Sequence, residues 1–347
     1  MKAAIICFSL TGWETGRRLK AGLESEENTV TLEGKSRYLP EGIEESTGEW
    51  AGKRFCDSDA IVFVGACGIA VRSIAPYIQK KTQDPAVLVI DECGKFVISL
   101  LSGHLGGANA LTLKAAEILK AEPVVTTATD LHKRFAVDVF AKKNGCAILN
   151  MKAAKEVSAA LLAGKTVGFF SDFPWEGELP KGLVLCRGTG ENMPETGVAV
   201  SVYKNRKPFK ETVSIVPPAV VLGMGCRKGK DTESVRKAAE KALKEAEIYK
   251  EAVASLTSID IKKEEEAFLA LSEDWGIPFL TYTGEKLLEV PGEFTPSSFV
   301  HSVTGVDNVC ERSAALGAEK GALIQKKTGE NGVTTALALK DWRIRFE

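Results

Sequence analysis

Only three histidines occur in 347 residues, at 104, 132 and 301, and residues so far apart in the chain do not read as a metal centre. The eight cysteines stand singly from Cys7 to Cys310 with no C-x-x-C pair. Neither zinc spacing nor a disulfide framework is readable, so reduced thiols in a cytoplasm are expected. Net charge is only -1 and no long Lys/Arg run occurs, which excludes the broad positive potential that draws a protein to nucleic acid. No apolar stretch approaches the roughly 20 residues that span a bilayer, so no membrane partner is expected. Met1 to Leu10 could imitate a signal peptide, but Thr11-Gly12-Trp13-Glu14 ends the run without a small-residue cleavage pattern, and a buried first strand is the better reading. Walker and G-x-G-x-x-G spacings are also missing, so neither ATP nor NAD binding is supported.

What is present is a globular composition, 44% hydrophobic and 26% charged, on a chain too long for one ordinary core. Short apolar runs at Lys2 to Phe8, Ala60 to Val64, Ala86 to Ile90, Phe96 to Leu101 and Val124 to Thr126 read as buried strands. Helical faces lie between them, one through Ile69, Ile74 and Ile78 and one through Leu105, Ala108, Leu111, Ala115 and Ile118, which predicts a largely parallel sheet. From about Phe135 the pattern weakens to two helical patterns, one strand at Thr166 to Phe170 and turn-rich sequence. Pro217-Pro218 marks a boundary, after which the strand-helix rhythm resumes at Ala219. The fold class is therefore α/β, with mainly parallel sheets flanked by helices. Two larger α/β domains, residues 1–134 and 219–347, are expected to be joined by a smaller central domain, 135–218.

Three glycine turns could carry chemistry. In Ser99-Leu100-Leu101-Ser102-Gly103-His104-Leu105-Gly106-Gly107-Ala108-Asn109 a strand passes through glycines into a helix, a geometry that gathers N–H donors and a helix dipole at one point. Gly103, Gly106 and Gly107 clear space for a ligand, and Ser102 and Asn109 can add polar contacts. His104, placed in the first helical turn, would be kept neutral by the dipole and suit a general base acting on water. Helix–sheet packing would use the same glycines. A second turn, Val64 to Ile69, opens a helix bearing Arg72, which can grip a carboxylate bidentately. The third, Gly223-Met224-Gly225-Cys226-Arg227-Lys228-Gly229-Lys230-Asp231, resembles an anion cradle with Asp231 or Thr232 as N-cap, although a plain tight turn fits it as well. Asp84, Asp91, Glu92 and Asp130 end or follow strands, where open α/β sheets place functional groups.

Gly68 to Pro76, Asp84-Pro85-Ala86-Val87, Asp91-Glu92, Leu100 to Asn109 and Pro123 to Asp130 resemble the N-terminal domain of the CbiG family of cobalamin biosynthesis. Gly223 to Gly229 and Ser258 to Lys263 resemble its C-terminal domain, which also exists alone as CobE. The resemblance implies a cytoplasmic hydrolase that opens the ring A lactone of cobalt-precorrin-5A and expels a two-carbon unit as acetaldehyde. No resident cofactor or metal is implied, since the cobalt arrives within the substrate. Transient contact with the pathway's methyltransferases is implied as well, and a non-catalytic corrinoid carrier is the alternative. On this reading His104 is the base with Asp91 or Glu92 as acid. Arg72, Ser102, Gly103, Gly106, Gly107, Asn109, Asp130, Gly225, Arg227 and Lys228 would hold a substrate fringed with carboxylates.

Overall fold

A computed structural model describes all residues except 27, 81–82, 105, 128–134, 188–192, 320, 347 and the side chain of Phe299. It contains two compact units, Met1–Arg134 and Phe135–Glu347. In the first, strands β1 (Lys2–Cys7), β2 (Thr29–Gly34), β3 (Ala60–Val64), β4 (Ala86–Ile90), β5 (Phe96–Leu101) and β6 (Glu122–Val124) form one sheet in the order β2-β1-β3-β4-β5-β6. Helices α1 (Leu10–Glu24) and α4 (Ala108–Leu119) bring Trp13, Leu19 and Ala115 to a core that also takes Ala3, Ile5 and Cys7. Helices α2 (Thr47–Asp57) and α3 (Cys67–Ile74) bring Trp50 and Ile74 to a second core that takes the alternate residues Ala4 and Ile6. Burial on both faces is why these strands read as continuous apolar runs rather than alternating ones.

The strands β3, β4 and β5 fall where the apolar runs predict, while β6 begins two residues earlier. Edge strand β2 alternates buried and half-exposed residues and was missed. The sheet is largely parallel, as expected: β1 to β4 are parallel and β6 runs parallel to β5, the exception being β5, which returns antiparallel to β4.

The second unit holds two five-stranded sheets. Strands β7 (Ala147–Leu149), β8 (Val167–Ser171), β10 (Leu183–Leu185), β11 (Thr196–Val200) and β12 (Glu211–Val216) form one, beside helices α5 (Val137–Lys143) and α6 (Met151–Leu162). Two-residue β9 (Trp175–Glu176) stands apart from it. Of these the sequence pattern predicts only β8: three-residue β7 and β10 are too short to show a period, while β11 and β12, five and six residues long, lie in the turn-rich stretch where no strand was expected. The other sheet orders β15 (Phe279–Tyr282), β14 (Val253–Ile259), β13 (Val220–Cys226), β17 (Val333–Leu339) and β16 (Ala322–Glu330), flanked by α7 (Thr232–Glu245), α8 (Glu266–Trp275), α9 (Gly284–Leu288), α10 (Ser298–Thr304) and α11 (Cys310–Gly317). Pro217-Pro218 links the two sheets, yet Val157, Phe169 and Val213 share one continuous core with Val220, Leu222 and Phe268. Finally β18 (Ile344–Arg345) crosses back to pair with β9.

Candidate functional sites in each unit

In the first unit the strand β5 ends in the Ser-Gly-His turn, and its reversed direction decides what the turn can meet. Leu101 pairs with Val87 near the start of β4, whereas Asp91 and Glu92 follow the end of β4. Four to five residues at about 3.3 Å each put roughly 15 Å between the turn and those carboxylates. The expected partnership of His104 with Asp91 or Glu92 is therefore not assembled. Asp91 instead organises the β4–β5 hairpin, its oxygens accepting N–H bonds from Cys93 at 3.1 Å, Lys95 at 2.8 Å and Phe96 at 2.6 Å. Glu92 accepts the hydroxyl of Ser9 at 2.6 Å, and Ser9 in turn caps α1 by accepting the Gly12 N–H.

The turn itself differs from the expected helix start. His104 precedes the helix, whose N-cap is Gly107 at φ 87, because a residue with positive φ cannot continue a right-handed helix. The N–H groups of Gly107, Ala108 and Asn109 close onto the carbonyls of His104, Ser102 and Gly103 at 3.0, 3.1 and 3.0 Å. Gly107 is thus engaged as a donor within the turn. Gly106 is required sterically, since a Cβ there would lie 2.3 Å from Cβ of Ser102. Gly103 similarly faces the Asn109 side chain, which bridges Ser99 and Thr127 at 2.7 and 2.8 Å. Ser102 is distinctive: it holds φ 59, and its buried Oγ has no hydrogen-bond partner among the described residues. Arg72 is exposed and donates to the Gly68 carbonyl at 2.9 Å. Asp130, with His132, lies outside the described residues.

In the second unit the ends of β13 and β14 open into a cleft of about 1080 Å³. Its size is at the upper end for small-molecule sites. Gly225, Arg227 and Lys228 all line it, so the third glycine turn is brought to a cavity. Asp231 is the N-cap of α7, accepting the Ser234 N–H at 2.8 Å. Residues that the sequence reading did not assign complete the walls, among them Lys262, Glu265, Val300, Val303 and Lys327. Ile261 and Val303 are each 64% exposed, an apolar surface offered within a polar rim.

Lys262 Nζ and Glu265 Oε2 lie 2.6 Å apart with side chains only 13% and 7% exposed, and Glu265 Oε1 accepts the N–H of Gly229 at 2.9 Å. This pair ties the glycine loop to the start of α8. Burial pushes the Glu265 carboxyl up, but hydrogen bonding and charge from Lys262, together with the loop N–H groups of Gly229 and Lys230, leave it below its ordinary value. Burial also raises the Cys226 thiol, against the opposing charge of Lys262, and pushes Cys310 up to about 11. Both thiols are therefore held protonated near neutrality and are poor nucleophiles. Within the cleft Asp231 and Glu265 are matched by Lys230 and Lys262, and the exposed Glu264 and Glu266 also lie on its rim. Arg227, Lys228 and Lys327 form no salt bridge among the described residues, so three cations remain for a ligand.

An α/β chain with a glycine-turn site in its first unit and a cationic cleft in its second is the class these features define. Family profiles place it more closely: Cobalamin synthesis G N-terminal matches residues 49–130, Cobalamin biosynthesis central region 135–217, and Cobalamin synthesis G C-terminus 220–338. The chain belongs to the cobalamin synthesis G (CbiG) family. It is 33% identical to a cobalt-precorrin-5A hydrolase of Salmonella typhimurium, over 97% of each chain. It is 30% identical to one from Priestia megaterium, over 92% of this chain and 86% of that one. Protein CobE from Sinorhizobium sp matches 34% of this chain and 79% of its own length at 34% identity.

Proposed function

We propose that this chain is a cobalt-precorrin-5A hydrolase of cobalamin biosynthesis, opening the ring A lactone and releasing a two-carbon unit as acetaldehyde to give cobalt-precorrin-5B. The observation that carries the reading is near full-length kinship with named hydrolases. The cleft supports it: a large flat macrocycle fringed with acetates and propionates matches an apolar wall rimmed by cations that form no salt bridge among the described residues. The cobalt belongs to the substrate.

His104 is the base in this proposal. It takes a proton from water as the oxygen attacks the lactone carbonyl, and the resulting imidazolium returns that proton to the departing alkoxide. Amides of Gly103 and Gly106 are the donors suited to the tetrahedral oxyanion; the freed alcohol then loses its O–H proton as its carbon–carbon bond to the macrocycle breaks, releasing acetaldehyde and leaving the electron pair on the ring, which takes up a proton in its place. Incubating the purified protein anaerobically with the lactone and assaying aldehyde tests the activity. His104→Gln should lower release by at least about 100-fold, the range for a general base, with corrinoid binding retained. Normal turnover by a folded His104→Gln would remove the histidine from the mechanism. The match of the C-terminal region to CobE keeps a carrier role as the second reading, and binding without aldehyde would favour it.

A further inference from the structure

Strand β16 does not pair evenly with β17. Gln325 faces Leu337 and Thr328 faces Thr335, so Lys326 and Lys327 together oppose the single Ala336. A two-against-one bulge takes an N–H out of the ladder and breaks the alternation of side chains, and it recurs where a side chain is re-aimed next to a functional site. Here the Lys327 N–H donates to Glu311 Oε1 at 2.5 Å, and Lys327 lines the cleft.

Glu311 is itself 0% exposed. Its remaining carboxylate bonds come from a different segment, from the Thr295 N–H at 2.7 Å and the Thr295 hydroxyl at 2.8 Å. Thr295 leads into α10, which carries the wall residues Val300 and Val303. A carboxylate taken fully out of water is tolerated only when its oxygens are satisfied, and these donors come from two separate segments, strand β16 and the residues that lead into α10. Glu311 thus fixes the bulge against the Thr295 segment, and the Lys327 ammonium, without a salt bridge among the described residues, is left to the cleft.

We propose that Lys327 binds a carboxylate arm of the ligand, as a third cation beside Arg227 and Lys228, with Glu311 as its positioning residue. This deepens the hydrolase reading and rests on its choice of ligand class. Full-length protein is titrated with cobyrinic acid, whose arms are free carboxylates, and with cobinamide, the same ring with its arms amidated. Wild type should bind the acid more tightly. Lys327→Met should weaken the acid about tenfold, the scale of one charge-assisted contact, and leave cobinamide unchanged, while Lys327→Arg restores the acid. Equal losses for both rings, no loss for either, or no binding by wild type would overturn the proposal. The aldehyde assay on the same preparations keeps the two readings apart. Absence of aldehyde from wild type sinks the hydrolase reading alone, because an acid-selective loss in Lys327→Met would still support the carboxylate contact.

Discussion

At the scale of single residues, two positions bear on stability in opposite senses, the first as a cost and the second as a gain. Ser102 adopts φ 59 and buries a hydroxyl with no partner among the described residues. A left-handed non-glycine residue and an unsatisfied hydroxyl each cost on the order of 1 kcal/mol or more. Ser102→Gly should therefore raise stability by about 1 kcal/mol, read as a higher urea midpoint, once glycine's greater freedom in the unfolded chain is set against the relief. A fall in turnover in that more stable protein would assign the hydroxyl a part in the chemistry; unchanged turnover would leave it none. Glu265 is the second position. Its folded carboxyl lies below the ordinary value, so its contribution to stability is present above the unfolded pKa of about 4.3 and is lost as pH falls through the folded value. Glu265→Gln should flatten the acid limb of stability below about pH 4.3, and urea midpoints taken from pH 3 to 6 check it. An unchanged limb would mean that the pair with Lys262 does not hold the loop.

At the scale of elements, the close approach of α11 to β13 rests on one missing side chain. A Cβ on Gly223 would lie 1.9 Å from the Cys310 carbonyl oxygen, so Gly223→Ala must lift the helix that carries Glu311. A loss of about 3 kcal/mol is expected, at the upper end for overpacking, and differential scanning calorimetry would register it. The same scale shows what was legible in the sequence. The bounds of β3 and β4 were legible because both-face burial makes each an unbroken apolar run, whereas β5 is half-buried along most of its length and shows as an apolar run interrupted by Ser99. The direction of β5 was legible too, from a signal not used. Asp91 to Lys95 is a five-residue link containing Gly94, right for a hairpin and far too short for a parallel crossover, which needs a dozen or more residues. Missing it brought Asp91 and Glu92 to the wrong end of the sheet. In the cleft, Arg227 and Lys228 were visible because a glycine loop follows a strand. Lys327 was not, because a bulge is a property of register between two strands and leaves no local mark, and Glu265 sits in an acidic run that reads as a solvated helix face.

At the scale of the molecule, the division of labour along the chain differs from the division of its stability. The central segment 135–217 and the C-terminal segment 220–338 are matched by separate family profiles, but their cores are continuous and the last residues of the chain serve the central sheet. Ile344 is fully buried where β18 pairs with β9. Phe346 sits 5.3 Å from both Phe140 and Phe169, and Trp342 meets Phe173 edge-on at 5.1 Å. Burying an isoleucine stabilises by about 1.5 to 3 kcal/mol and each aromatic pair adds about 0.5 to 1.5. Deletion from Trp342 onward should therefore cost on the order of 4 kcal/mol. Those contacts end on β8, β9 and α5, far in sequence from the cut, so faster amide hydrogen exchange should appear there first and most strongly. Exchange in β13 and β14 should change less, and exchange in β1 to β6, which belong to the other compact unit, should not change. Protection lost chiefly in β16 and β17, the strands nearest the deletion in sequence, would show instead that the tail stabilises the sheet it follows, and that the central sheet stands without it.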